Sequence, residues 1–195
     1  TDLGLGADDP VTVHGINLDS RFVGPGDLYV ALPGTRTHGA RFAAQAVAAG
    51  AVAVLTDADG AAHLTDVGVP VLVADDPRAT MARVAAELFG RPTERLNLFG
   101  VTGTNGKTTT VAILDAALRA AGRHGGTIGT MGFTVDGRQL GGRRTTVTTP
   151  ESIDLQALFA VMLDDGATDV AMEVSSHALA LHRVDGVLFD VTGFT

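Results

Sequence analysis

The stretch Phe99-Gly100-Val101-Thr102-Gly103-Thr104-Asn105-Gly106-Lys107-Thr108-Thr109-Thr110 decides how the second half of this chain folds. An apolar strand runs into a glycine-rich turn, and an amphipathic helix follows with a Lys-Thr pair at its start. A turn of this kind presents successive backbone N–H groups and the positive end of the helix dipole to an anion. In such loops the lysine, here Lys107, reaches the β- and γ-phosphates of a nucleotide, and the hydroxyl after it, here Thr108, ligates Mg2+. The common G-x-x-x-x-G-K-[ST] pattern is not met, because Val101 stands where its first glycine belongs.

Working outward, the loop is preceded by a strand over residues 96–101 and followed by a helix to about residue 121, closed by Gly122. Residues 127–135 and the Gly- and Arg-rich 136–144 predict a strand pair with an exposed turn. Thr149-Pro150-Glu151-Ser152 reads as a helix start, with a capping hydroxyl, Pro at the first position and an acid in the first turn. That helix runs to about Asp165. Residues 168–174 and 187–194 are expected as buried strands.

Upstream, residues 11–18, 27–32, 51–56 and 69–74 have strand patterning. Residues 39–49 are Ala-rich with helical spacing and stop at Gly50. Asp76-Pro77 reads as an N-cap followed by Pro at the first helical position, opening a helix to about Phe89. The breaker cluster Gly90-Arg91-Pro92-Thr93 is the expected boundary, giving domains over 1–92 and 93–195. The alternation predicts an α/β protein with mainly parallel sheets and helices on both faces. Ligands in such sheets sit at the carboxyl ends of strands.

Asp169-Val170-Ala171-Met172-Glu173 is an apolar strand ending in a carboxylate. Beside a phosphate-loop strand, that acid commonly holds Mg2+; otherwise it is a strand-end carboxylate facing solvent or paired with an Arg. Ser175-Ser176-His177 follows. A Ser near a His invites a hydrolase reading, but sequence neighbours without a strained elbow or a third orienting residue do not make a triad. The Ser hydroxyls are expected to cap a short helix or touch a ligand, and His177 reads equally well as a packed core histidine. The run from Thr145 to Pro150 reads as simple capping or as a second anion site. Asp19-Ser20-Arg21 and Thr35-Arg36-Thr37 lie in loops after strands, and Arg143, Arg144 and Arg183 are either phosphate contacts or solvated side chains.

The bulk properties narrow the class. At 195 residues, 45% hydrophobic and 18% charged, the chain is globular. Its net charge of −8 argues against a general nucleic-acid binder, since no basic excess is available for phosphates, and leaves room for a local basic site for one nucleotide. With no cysteine there is no disulfide framework, thiolate metal site or Cys nucleophile. No apolar run approaches the ~20 residues of a membrane span. The acidic start, TDLGLGADDP, lacks the pattern of a secretory signal and has no initiating Met, which points to a trimmed start and a cytoplasmic location.

Together these residues resemble the Mur ligase family. The G-x-T-G-T-N-G-K-T-T loop is common to Mur ligases and folylpolyglutamate synthases. The resemblance to the tripeptide-synthetase (MurE-type) branch rests on Leu18-Asp19-Ser20-Arg21 with Pro25-Gly26-Asp27-Leu28-Tyr29-Val30-Ala31-Leu32, then Thr148-Thr149-Pro150. It rests also on Met172-Glu173-Val174-Ser175-Ser176-His177-Ala178-Leu179 and Arg183-Val184. It covers residues 18–195 and implies a UDP-binding domain followed by the first half of a P-loop ATPase domain. It implies an ATP-dependent amide ligase of peptidoglycan synthesis, adding meso-diaminopimelate or L-lysine to UDP-MurNAc-L-Ala-D-Glu through an acyl phosphate. By this resemblance Gly103, Thr104, Asn105, Gly106, Lys107, Thr108 and Thr109 bind ATP, Thr108 and Glu173 hold Mg2+, and Lys107 and Glu173 carry the catalysis. Leu18, Ser20, Thr35, Arg36 and Thr37 hold the UDP end; Thr148, Thr149, Ser175 and Arg183 hold the rest of the substrate. Leu181 stands where many relatives have Gln.

Members of the family are more than twice as long, so the chain is expected to be an inactive N-terminal fragment with an exposed sheet edge. Small molecules are its expected partners, with no nucleic acid, membrane or obligate protein partner. Two other readings stay open here. A folylpolyglutamate-type ligase explains the loop but not the first domain, and a non-catalytic UDP-sugar or nucleotide-binding module would bind its ligand with these residues alone.

Overall fold

The computed structural model describes residues 11–141 and 148–195. Arg143, Arg144 and residues 145–147, singled out above, lie outside the described residues, as does the N-terminal decapeptide. The chain divides into two compact units, one ending at Leu88 and the other beginning at Phe89. Both are α/β units built on parallel strands.

The first unit has a four-stranded sheet of β1 (Gly15–Asn17), β2 (Asp27–Val30), β3 (Ala53–Thr56) and β4 (Val71–Val73), in that order and all parallel. Strand β1 is shorter than the 11–18 expected, because it pairs only with β2, which starts at Asp27. The helix expected over 39–49 is a 3-10 turn, Gly39–Phe42, leading into α1 (Ala43–Ala48). Small side chains at Ala40, Ala43 and Ala46 let this segment pack closely on Tyr29 and Val54. A short helix, α2 (Ala58–Ala61), was not legible in the sequence; Asp57 caps it by accepting from the Gly60 N–H at 2.7 Å. Helix α3 (Pro77–Leu88) begins at the expected proline, and Asp76 accepts from the Ala79 N–H at 2.9 Å. Its buried face of Met81, Ala82 and Ala85 lies along β3.

In the second unit a 3-10 turn (Pro92–Arg95) precedes β5 (Asn97–Thr102), α4 (Lys107–Ala120), β6 (Gly125–Gly129), β7 (Gly132–Val135), β8 (Arg138–Gln139), α5 (Ser152–Asp164), β9 (Asp169–Glu173), α6 (Ser176–Ala180) and β10 (Val191–Phe194). The sheet order is β10-β5-β9-β6-β7-β8, parallel from β10 to β6 and antiparallel beyond. The period of two along the strands sorts the faces. Leu98, Val170, Met172 and Ile128 pack with Leu155, Phe159 and Met162 of α5, each large side chain so buried contributing about 1.5–3 kcal/mol. Val101 and Ala171 point the other way and pack on Val111 of α4. By the same alternation Glu173 faces α4.

Two expectations need correction. Residues 187–194 do not form a buried strand: only Val191–Phe194 is extended, all four residues are exposed, and Phe194 is 82% accessible, because β10 is an edge strand paired on one side. Helix α5 begins at Ser152 with Glu151 as an N-cap that makes no side-chain capping bond. Thr149 and Pro150 therefore lie before the helix, and the Thr149 hydroxyl is used elsewhere.

At the start of β9, Asp169 is buried and accepts from Arg123 Nε (2.7 Å), Arg123 Nη2 (2.9 Å), Thr168 Oγ1 and Asn97 Nδ2 (3.2 Å). Burial pushes its carboxyl up; the Arg123, Thr168 and Asn97 hydrogen bonds and the Arg123 charge outweigh this and hold it below the usual 3.8. A carboxyl lowered on folding adds stability that is present above its unfolded pKa and lost as pH falls through the folded value. Asp169→Asn is therefore expected to cost about 1–2 kcal/mol at pH 7, the half-exposed Arg123 limiting the loss. In urea unfolding the gap between the variant and the parent should close as pH drops below about 4.

Candidate functional site

The phosphate-loop end of the second unit is built where β5 stops. Gly103 and Gly106 adopt φ +132° and +86°, a region costly for side chains other than glycine. Gly106 is also the N-cap of α4 and supplies no side-chain acceptor, so the first N–H groups of the helix have no capping partner from it. Thr104, Asn105 and Gly106 are exposed, as is Thr109. The Lys107 ammonium folds back and donates to Gly103 O at 2.6 Å. The arrangement presents exposed backbone donors and a cation on one turn.

Next to it, β5 and β9 run parallel with Val101 opposite Glu173. Glu173, only 2% exposed, accepts from the Thr108 hydroxyl at 3.0 Å through Oε1. The same oxygen accepts from the Thr130 N–H at 2.9 Å, and Oε2 accepts from the Thr130 hydroxyl at 3.3 Å. A Cβ on Gly129 would overlap the Glu173 carboxylate, so a glycine there makes the room this side chain occupies. Thr130 follows β6 and had not been singled out; no pattern around it in the sequence marks it, because its partner lies 43 residues away.

Thr149 is buried, and its hydroxyl donates to Glu173 O (3.0 Å) and accepts from the Ser175 N–H (3.1 Å). This is why it does not cap α5. Arg183 donates to Thr149 O at 2.9 Å and pairs with Glu151 at 2.7 Å. Ser175 caps α6, accepting from the Ala178 N–H at 3.1 Å. Thr148 lies 3.3 Å from the Thr130 hydroxyl. The structure thus joins Thr108, Glu173, Thr148, Thr149, Ser175 and Arg183, with Thr130, through one set of hydrogen bonds, while Lys107, next to Thr108 in sequence, bonds Gly103 O instead. His177 is exposed on α6, so it is not a core histidine. Leu181 is the C-cap residue of α6.

The first unit carries a separate cleft of about 660 Å³, lined among others by Leu18, Ser20, Tyr29, Gly34, Thr37 and Phe42. Ser20 is buried and lies 3.3 Å from Gln45 Oε1. Tyr29, missed as a site residue, donates to Gly39 O at 2.9 Å, and burial pushes its hydroxyl pKa up. Asp19 is held at a pKa of about 2 by the hydrogen bond from Arg21. Of the five residues expected at the UDP end, Leu18, Ser20 and Thr37 line this cleft; Thr35 and Arg36 are exposed on its loop and do not. His38 fixes that loop from below: its Nδ1 accepts from the Ala40 N–H, so the ring proton sits on Nε2 and is donated to Asp57 at 3.0 Å.

Hard oxygens at Glu173 and Thr108, 3.0 Å apart, suit Mg2+. Among the described residues there is no group of three or more His, Cys, Asp or Glu side chains that would cage a metal alone. Nor is any helix among the described residues long and apolar enough to cross a membrane.

Comparison with known proteins matches the Mur ligase middle domain to residues 101–195 and the catalytic domain of the Mur ligase family to residues 12–88. The UDP-N-acetylmuramoyl-L-alanyl-D-glutamate--2,6-diaminopimelate ligase of Streptomyces avermitilis is 53% identical over 182 residues, covering 93% of this chain and 35% of the relative. The protein of the same name from Streptomyces coelicolor is 51% identical, covering 99% of this chain and 38% of the relative. A solved structure of a ligase of that name superposes with a TM-score of 0.78 at 28% identity, over 93% of this chain and 36% of that one. A MurF structure from Acinetobacter baumannii shares the fold, with a TM-score of 0.59 at 20% identity. The chain spans a little over a third of the length of these relatives.

Proposed function

Because the chain belongs to the Mur ligase family, matched in two successive domains, we propose that it carries the substrate-nucleotide and ATP units of an amide ligase. The carrying observation is the contact of Thr108 with the buried Glu173 at the mouth of the phosphate loop. On this reading the unit ending at Leu88 holds the UDP end of UDP-MurNAc-L-Ala-D-Glu, with Leu18, Ser20 and Thr37 in the cleft and Thr35 and Arg36 on its rim. The unit beginning at Phe89, four residues before the boundary expected after Pro92, holds ATP on Gly103–Thr109. The names of the relatives favour diaminopimelate over lysine as the incoming amino acid. The reaction belongs in the cytoplasm, with small molecules as its only required partners.

A carboxylate is a poor electrophile, so the D-Glu γ-carboxylate must first acquire a leaving group. One of its oxygens attacks the γ-phosphorus of ATP, the bond to the β-phosphate oxygen breaks, and ADP departs. The amine of the diamino acid then adds to the acyl carbon, loses a proton, and inorganic phosphate leaves. Thr108 and Glu173 would hold Mg2+, which when bound neutralises charge on the transferring phosphoryl group. Lys107, released from Gly103 O, supplies a cation to the same charge. The backbone donors of the loop fix the phosphates; Thr148, Ser175 and Arg183 orient the peptide end of the acceptor, and the buried Thr149 holds the segment that carries them.

The test is phosphate release by the full-length protein. It should require ATP, UDP-MurNAc-L-Ala-D-Glu and diaminopimelate together. Release that is independent of the UDP-linked acceptor, or absent with all three present, would overturn the reading.

A further inference from the structure

The residue closest to deciding where the Glu173 carboxylate sits is not on the phosphate loop. Thr130 binds both carboxylate oxygens, its N–H to Oε1 at 2.9 Å and its hydroxyl to Oε2 at 3.3 Å. A carboxylate only accepts, so the single proton of the Thr130 hydroxyl is committed to Glu173. The Thr148 hydroxyl, 3.3 Å from the Thr130 oxygen, is then the donor of that contact. The order is Thr148 to Thr130 to Glu173, and Thr108 also donates to Oε1. Two hydroxyls and one backbone N–H leave the carboxylate little rotational freedom about its last torsion. Gly129 keeps the floor beneath it clear of a Cβ. Thr130 itself is exposed, so no core packing accounts for this threonine.

We propose that Thr130 is a positioning residue that holds the Glu173 carboxylate in the orientation in which it and Thr108 accept a divalent cation. It does not itself ligate the metal; it acts through Glu173, and Thr148 supports it. Hydrogen bonds to a ligating carboxylate commonly contribute 10–100-fold to metal affinity. The proposal rests on the reading of Glu173 as the metal acid, and the experiment separates the two.

Binding of Mn2+ in the presence of ADP is followed by electron paramagnetic resonance in the full-length protein. Thr130→Val keeps the shape and the backbone N–H and removes only the hydroxyl. It should weaken Mn2+ binding about tenfold without shifting the thermal midpoint, and Thr130→Ser should restore it. Glu173→Gln should weaken binding further still. Wild-type affinity in Thr130→Val alongside a loss in Glu173→Gln overturns the positioning role alone, as does failure of the serine to restore binding. Unchanged affinity in Glu173→Gln overturns the metal-acid reading and this proposal with it.

Discussion

Replacing Lys107 with methionine in the full-length protein should lower turnover about 10³-fold and leave calorimetric binding of the UDP-linked acceptor intact. Methionine keeps the unbranched stem and removes the cation. The ammonium donates to Gly103 O at 2.6 Å, a carbonyl in the turn that would surround the phosphates. To meet the phosphoryl charge the ammonium exchanges Gly103 O for a phosphate oxygen bound by the same turn. An interaction made mainly with that developing charge appears in kcat and not in acceptor affinity. Turnover within about tenfold of the parent would show that Lys107 is not the phosphoryl cation.

The smallest substitution available near the site should have the second-largest effect. Gly129→Ala adds one methyl group, which would overlap Oε1, Cδ and Cγ of Glu173. Gly129 does not sit in the left-handed region, so the backbone accepts alanine; the clash is entirely with the carboxylate. Glu173 is buried, and moving its carboxylate away from the added methyl would strain its bonds from Thr108 and Thr130. We expect Mn2+ affinity to fall about 100-fold, with a stability cost of about 1–3 kcal/mol from overpacking. Mn2+ resonance and urea unfolding measure the two effects. A variant that binds Mn2+ normally would mean that the carboxylate has another position compatible with the metal.

Much of the site was legible because its signals are local. The glycine turn, Lys107 and Thr108 are adjacent in sequence, and Asp76-Pro77 marked the start of α3 to the residue. Glu173 was legible because an apolar strand ending in an acid is a contiguous pattern, although its contact with Thr108 spans 65 residues. What failed was local chemistry redirected by distant partners. Thr149 has the sequence of a helix cap, yet a strand carbonyl and the Ser175 N–H outcompete the helix for its hydroxyl. Thr130 sits in a turn that any polar residue would suit, and only the fold brings it to Glu173. Helix α2 was hidden because one Ala-Asp-Gly-Ala turn carries no periodicity; Asp57 was its only signal. An exposed sheet edge was expected and β10 is one; only the apolar patterning of 187–194 suggested burial, because hydropathy does not encode sheet order.

Strand β9 has one more consequence. Its first residue is tied by Arg123, Thr168 and Asn97, and its last by Thr108, Thr130 and Thr149. A strand that must keep the same side chains toward the same helices can slide only in steps of two residues, each displacing it by about 6.6 Å. Such a step would break both sets of ties at once. The five residues from Asp169 to Glu173 therefore act as a spacer of fixed length. An ion pair at the far margin of the sheet thereby gauges how far the Glu173 carboxylate stands from the phosphate loop.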